Sequence, residues 1–94
     1  MVIDNTLTPT GHDFFSEFVE AWHSLEQPGK QRLTIRERPS ARGGNLISVE
    51  HDNRVLYRVL LEPGRPDYRA VAEHAAIHVA HVVAGNRNPA LVLH

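Results

Sequence analysis

From residue 14 the apolar side chains return at helical spacing. Phe14, Phe18, Trp22 and Leu25, joined by Phe15 and Val19, gather on one face at about 100° per residue. Asp13, Glu17, Glu20 and Ser24 take the opposite face. Thr10, with Asp13 three residues on, reads as the cap of this helix in a Thr-x-x-Asp variant of the capping box. Gln27-Pro28-Gly29-Lys30 ends it, because proline and glycine cannot continue a helix. Residues 1–9 carry no comparable pattern and read as a flexible lead-in.

Beyond residue 30 the period shortens to two, which predicts strands over roughly 31–37, 45–51 and 54–62. The His51-Asp52-Asn53-Arg54 stretch reads as a hairpin turn, and its register can be argued. A two-residue loop sets Val49 opposite Leu56 and Ile47 opposite Arg58. A three-residue loop sets Val49 opposite Tyr57 and Ile47 opposite Val59, which keeps one face apolar through Leu61 and is the register expected. The 62–67 stretch is a turn, with Pro66 at the first helical position and Asp67 in the first turn. A second helix follows over about 66–84, its apolar face formed by Tyr68, Val71, Ala72, Ala75, Val79, Val82 and Val83, with Gly85 as the stop. Residues 87–94 are a tail, either loose or a short strand at Leu91 to Leu93. The fold class is α+β in the order α-β-β-β-α: a three-stranded antiparallel meander packed by two helices, with residues 10–86 as one domain.

Composition fits this picture. The 94 residues are 41% hydrophobic and 22% charged, with a formal net charge of −1 and no cysteine, which excludes a disulfide framework and Cys-based metal sites. No apolar run approaches the roughly 20 residues of a membrane-spanning helix. The first ten residues lack the basic and apolar regions of a signal peptide, so the chain is either cytosolic or follows a removed targeting segment. The near-neutral total hides a segregation. Residues 1–26 hold five acids and no lysine or arginine, whereas residues 27–42 hold Lys30, Arg32, Arg36, Arg38 and Arg42 against Glu37 alone. Such polarity bears on partners and association.

The candidate chemistry is sparse. His74, His78 and His81, at i, i+4 and i+7 of the second helix, fall within an arc of about 60° and could form an open metal site. They could equally be polar residues on the flank of an amphipathic helix, and because histidines titrate near neutral pH they also offer a pH-sensitive surface. Ser40 has no base placed to activate it. Glu17 and Glu20 sit on an exposed helix face, and neither a dinucleotide fingerprint nor a Walker pattern occurs. The arginines could bind phosphates, but an acidic helix beside them argues against nucleic acid. A cationic loop and an anionic helix face suit head-to-tail contact between copies, closing into a ring where the rotation allows. Exposed ion pairs contribute only about 0–1 kcal/mol each, so apolar contacts would supply most of the affinity.

Two stretches carry a resemblance. Gly11-His12-Asp13-Phe14 with Trp22, followed by Leu33-Thr34-Ile35 and Glu37-Arg38-Pro39-Ser40-Ala41-Arg42, is similar to the CsgE family of periplasmic curli assembly components, over about residues 8–87. Asp67-Tyr68 after the Pro63 turn fits more weakly. The resemblance implies a non-enzymatic secretion factor without cofactors. Such a protein would form an oligomeric ring on the periplasmic mouth of the outer-membrane curli channel, direct amyloid subunits into it, and keep them from polymerising early. Its partners would be the channel, the subunits and other copies of itself, with no membrane insertion. Under this reading Arg38 and Arg42 are the contact residues, with Glu37 orienting Arg36 or Arg38, and His74 and the acidic face at Glu17 and Glu20 as further protein-binding positions. Pro39 would stiffen the loop and reduce the ordering cost of binding. The family pattern places a tryptophan directly after the arginine of the second piece, where this chain has Gly43. The alternative reading is a soluble metal-binding module built on His74, His78 and His81.

Overall fold

The computed structural model describes residues 1–25, 31–62 and 67–87. Its elements are β1 (Val2–Asn5), α1 (Pro9–Ser24), β2 (Leu33–Pro39), β3 (Asn45–His51), β4 (Arg54–Leu61) and α2 (Tyr68–Arg87). The α+β mixture is as expected, but the sheet is not a three-stranded antiparallel meander. It has four strands in the order β1-β2-β3-β4, and it is mixed. The additional strand comes from the residues read as a lead-in. Val2, Ile3, Asp4 and Asn5 pair in parallel with Leu33, Thr34, Ile35 and Arg36. A parallel neighbour requires a crossover, and α1 provides it.

The core lies between the sheet and a layer of both helices. Phe14, Phe18 and Trp22 of α1, Leu33 and Ile35 of β2, Ile47 and Val49 of β3, and Val79 of α2 are its largest fully buried side chains. The three aromatic rings stack in sequence, with centroids 6.2 and 6.0 Å apart. On α2 the buried residues are Ala72, Ala75, Ala76, Val79 and Val83, while Tyr68 and Val71 only border the core. Small alanines let the two helices approach closely, and this turns the apolar face of α2 towards α1 and leaves Tyr68 and Val71 on its other flank.

Four local expectations change. The cap of α1 is Thr8 and not Thr10: its hydroxyl accepts the Gly11 amide at 3.0 Å, and Pro9 takes the first helical position, where its fixed φ and missing N–H do no harm. Gly85 does not stop α2, which continues to Arg87. Asp67 acts just before the helix, its carboxylate accepting the Ala70 amide at 3.2 Å. The hairpin register is the one expected, Val49 with Tyr57 and Ile47 with Val59, but a different device produces it. Asp52 and Asn53 form a two-residue turn with φ of 51° and 64°, and a bulge between Val49 and Glu50 shifts the pairing by one. The proline-glycine end of the first helix at 27–30, Pro66 and the tail at 88–94 lie outside the described residues.

Candidate protein-binding surfaces

The strand period decides what happens to the charged run in β2. Leu33, Ile35 and Glu37 point to the helices, while Thr34, Arg36 and Arg38 point to the open face of the sheet. Glu37 is therefore buried, at 2% exposure. Its carboxylate accepts hydrogen bonds from the Leu7 and Thr8 amides at 2.5 and 2.9 Å, from the Thr8 hydroxyl at 2.6 Å and from the Asn45 side chain at 2.5 Å. Burial alone would raise its pKa. The hydrogen bonds from Thr8, Leu7 and Asn45 prevail and hold it below the usual carboxylate range. A Cβ on Gly11 would run into the Glu37 carboxylate, so glycine leaves the room that the hydrogen-bonded carboxylate occupies. Glu37 does not orient Arg36 or Arg38. It clamps the start of α1 to β2 and β3.

The two stretches that carried the family resemblance thus meet in space. Gly11 makes room for Glu37. His12 reaches back to Asp4 of β1 at 2.8 Å, and Asp4 also accepts from the Thr6 amide and hydroxyl. Burial would raise the Asp4 pKa, but the bonds from Thr6 and His12 draw it down. Phe14 enters the core. This part of the pattern is structural.

The remainder of the second stretch lies at the surface. Beyond Pro39 the chain reverses through a turn closed by Ser40 N–H to Gly44 C=O at 3.0 Å and Gly43 N–H to Ser40 C=O at 3.1 Å. The Ser40 hydroxyl accepts the Arg42 amide at 3.2 Å, so Ser40 organises the turn. Gly44 has a φ of 71°, and a side chain there would press on the Leu61 carbonyl at 2.6 Å. Arg38, at the end of β2, and Arg42, on this fixed turn, are both exposed, and among the described residues no acid pairs with either. Arg36, half-exposed on the sheet face, is held by Glu50 at 3.2 Å.

The acidic positions lie in the helix layer. Glu17, Glu20 and Glu73 rim a groove of about 340 Å3 between α1 and α2, with Ala21, Leu25 and Ile77 as its apolar lining. Arg69 spans the rim, 3.1 Å from Glu73 and 3.8 Å from Glu17. Ile77, 49% exposed, was not singled out from the sequence, although its place between the flanking histidines hinted that it lies off the core stripe. The charge segregation along the chain is thus only partly a spatial one: Glu17, Glu20 and Glu73 lie on the helix layer with Arg69 among them, and Arg36, Arg38 and Arg42 lie on the open sheet face and turn with Glu50 beside Arg36. Arg58, exposed on that face, belongs with them and was missed because it sits alone in an apolar strand.

Two of the three histidines share one neighbour. His74 and His78 both pack on Tyr57, with ring centroids 5.9 and 5.6 Å away, and the Tyr57 hydroxyl lies 3.2 Å from His74 Nδ1. Burial raises the Tyr57 pKa. Among the described residues no three His, Cys, Asp or Glu side chains come together to hold a metal ion, and no helix is long and apolar enough to cross a membrane.

A family model described as curli assembly protein CsgE matches residues 1–94. The curli production assembly/transport component CsgE of Escherichia coli O6:H1 is 35% identical over 77 residues, which covers 82% of this chain and 57% of that protein. The protein of the same description from Salmonella typhi is 37% identical over 68 residues, 72% of this chain and 50% of that protein. The chain spans about half the length of the curated relatives it matches.

Proposed function

This chain belongs to the CsgE family of curli assembly proteins, and on that footing we propose that it serves curli secretion as a non-catalytic periplasmic accessory factor. It associates with copies of itself, caps the outer-membrane curli channel from the periplasmic side, and brings amyloid subunits to it while limiting their premature polymerisation. The observation that carries this reading is the pair of exposed arginines, Arg38 at the end of β2 and Arg42 on the turn that follows, on backbone already fixed by the strand ladder and by the turn's own hydrogen bonds. A fixed turn loses little freedom on binding, and unpaired guanidinium groups offer charge-assisted bonds to carboxylates. The groove between α1 and α2 presents such carboxylates beside apolar lining. A copy can therefore meet the next one head to tail, turn against groove. With Gly43 after Arg42 the turn brings no aromatic anchor, so Ile77 and Leu25 supply the apolar share of that contact.

The test is a pull-down of the cognate channel with the wild-type chain and with an Arg38→Ala, Arg42→Ala double variant, the mass of each complex read by light scattering. The double variant is expected to lose channel binding, self-association or both while keeping the wild-type melting temperature. Normal binding and mass for the double variant would reduce the turn to solvated surface.

A further inference from the structure

The two edges of the sheet are unlike. β1 has four residues, and Asp4 turns its carboxylate to the helix side; shortness and an inward charge are both protections against pairing with a foreign strand. β4 has eight residues, no proline and no acid, and turns Tyr57, Val59 and Leu61 inward. Its bulge lies at the turn end and leaves the run from Tyr57 to Leu61 in regular register with β3. Among the described residues nothing pairs with its outer side.

The ground beside that edge is shaped for side chains. A groove of about 470 Å3 is lined by Leu60, Leu61, Tyr68 and Val71, together with Ala70 and the acids at 62 and 67. Tyr68 and Val71 are on the flank of α2 turned away from α1, and His74 and His78 continue that flank against Tyr57. A fifth strand would lay every second side chain on this apolar and aromatic flank. Its other side chains would join the open face, where Val55 and Leu60 are 44% and 38% exposed and Arg58 has no acidic partner among the described residues. Arg58 selects the occupant. In the antiparallel registers that overlap β4 with a second β4 most fully, Arg58 stands opposite or diagonal to its own copy, and like charges across strands repel.

We propose that β4 is an acceptor edge that takes an extended segment of another polypeptide as a fifth strand, apolar on the side facing α2 and bearing an acidic residue beside Arg58. This goes beyond the function proposed above, since it requires neither the channel nor a ring. Main-chain hydrogen bonds supply the affinity, and the α2 flank and Arg58 supply the selection.

Two blocked nine-residue peptides test it. Each alternates valine with threonine, carries one glutamate or one lysine on the threonine side, and is N-methylated along one edge so that it cannot stack on itself. Titrated at low salt into the full-length, isotope-labelled chain, the glutamate peptide should slow hydrogen exchange of β4 amides. It should bind about three- to tenfold more tightly than the lysine peptide. Arg58→Glu, a change at an exposed position, should reverse that preference. The proposal is overturned by β4 amides that are already protected in the free protein, by effects confined to β1, by no binding at all, or by a charge preference that Arg58→Glu leaves unchanged. The peptides contain no curli sequence, so this outcome is independent of the channel pull-down.

Discussion

Glu37 and Arg38 are adjacent in the chain, charged, and part of the same six-residue stretch, yet they do opposite things. Glu37 is buried and accepts four hydrogen bonds from Leu7, Thr8 and Asn45. Arg38, one step further along the strand, emerges on the other face into solvent, as Arg42 does on the turn that follows. The pleat of a strand makes this division, and it splits one charge cluster into an internal clamp and solvent-facing guanidinium groups. Charge density in a short stretch therefore says little about a binding site until the strand period has been applied to it.

The sharpest break of this contrast is Glu37→Ala. It leaves two amides and the Asn45 side chain without their acceptor, and it releases Thr8, the cap of α1. The cost should be on the order of 3 kcal/mol, a fall in melting temperature of about 12–20 °C for a domain of this size. Thermal unfolding followed by circular dichroism measures it. A loss below about 1 kcal/mol would mean that the clamp is satisfied by water and not by the fold.

Gly11→Ala attacks the same clamp from the helix side. The added methyl enters the space of the Glu37 carboxylate, and the overpacking should cost about 1–3 kcal/mol. The two changes should not add. Once Glu37 is alanine the clash is gone, so Gly11→Ala in that background should be nearly neutral, and a double-mutant cycle from denaturant midpoints reads the coupling. Strict additivity would contradict the packing described here.

Acid separates the two ends of the stretch again. The Glu37 pKa is lowered in the fold, so its contribution is present above the unfolded value of 4.5 and is lost as pH falls through the lower folded value. Asp4, lowered from 3.8, adds to the same limb. Stability measured by urea midpoints should therefore drop below about pH 4.5 in the wild type. Glu37→Gln, starting from a less stable protein, should flatten that drop. The Arg38→Ala, Arg42→Ala variant should reproduce the wild-type profile.

Much of this was legible in the sequence, and the misses have physical causes. The stripe of Phe14, Phe18 and Trp22 is strongly periodic and points straight to the buried face of α1. The β3–β4 register followed from keeping Val49, Tyr57, Ile47 and Val59 on one face, a demand the bulge satisfies without the longer loop. β1 escaped notice because Asp4 and Asn5 are poor strand formers and the strand is held by a neighbour some thirty residues away. Glu37 continues the inward positions Leu33 and Ile35, so the alternation did mark it as buried. The expectation for a glutamate among arginines overrode that signal. The cap at Thr8 depended on Pro9 at the first helical position, a pairing that the Thr-x-x-Asp pattern two residues later obscured. The packing of His74 and His78 on Tyr57 was hidden from helix spacing because Tyr57 comes from a different element.

The smallest expected change in stability, and the one that most sharpens the contrast, belongs to Arg38 and Arg42. Both positions are exposed and replacing both by alanine removes no side-chain hydrogen bond or ion pair among the described residues, so unfolding free energy should stay within about 0.5 kcal/mol of wild type. Self-association should nevertheless weaken, and its dependence on salt should flatten, because in the proposed turn-against-groove contact screening acts on exposed charges. Sedimentation at 50 and 500 mM salt distinguishes the cases. A wild-type chain whose mass is indifferent to salt, or a double variant that keeps the wild-type salt response, would show that these guanidinium groups face water in the assembly as they do in the single chain. The apolar lining at Leu25 and Ile77 would then have to account for association alone.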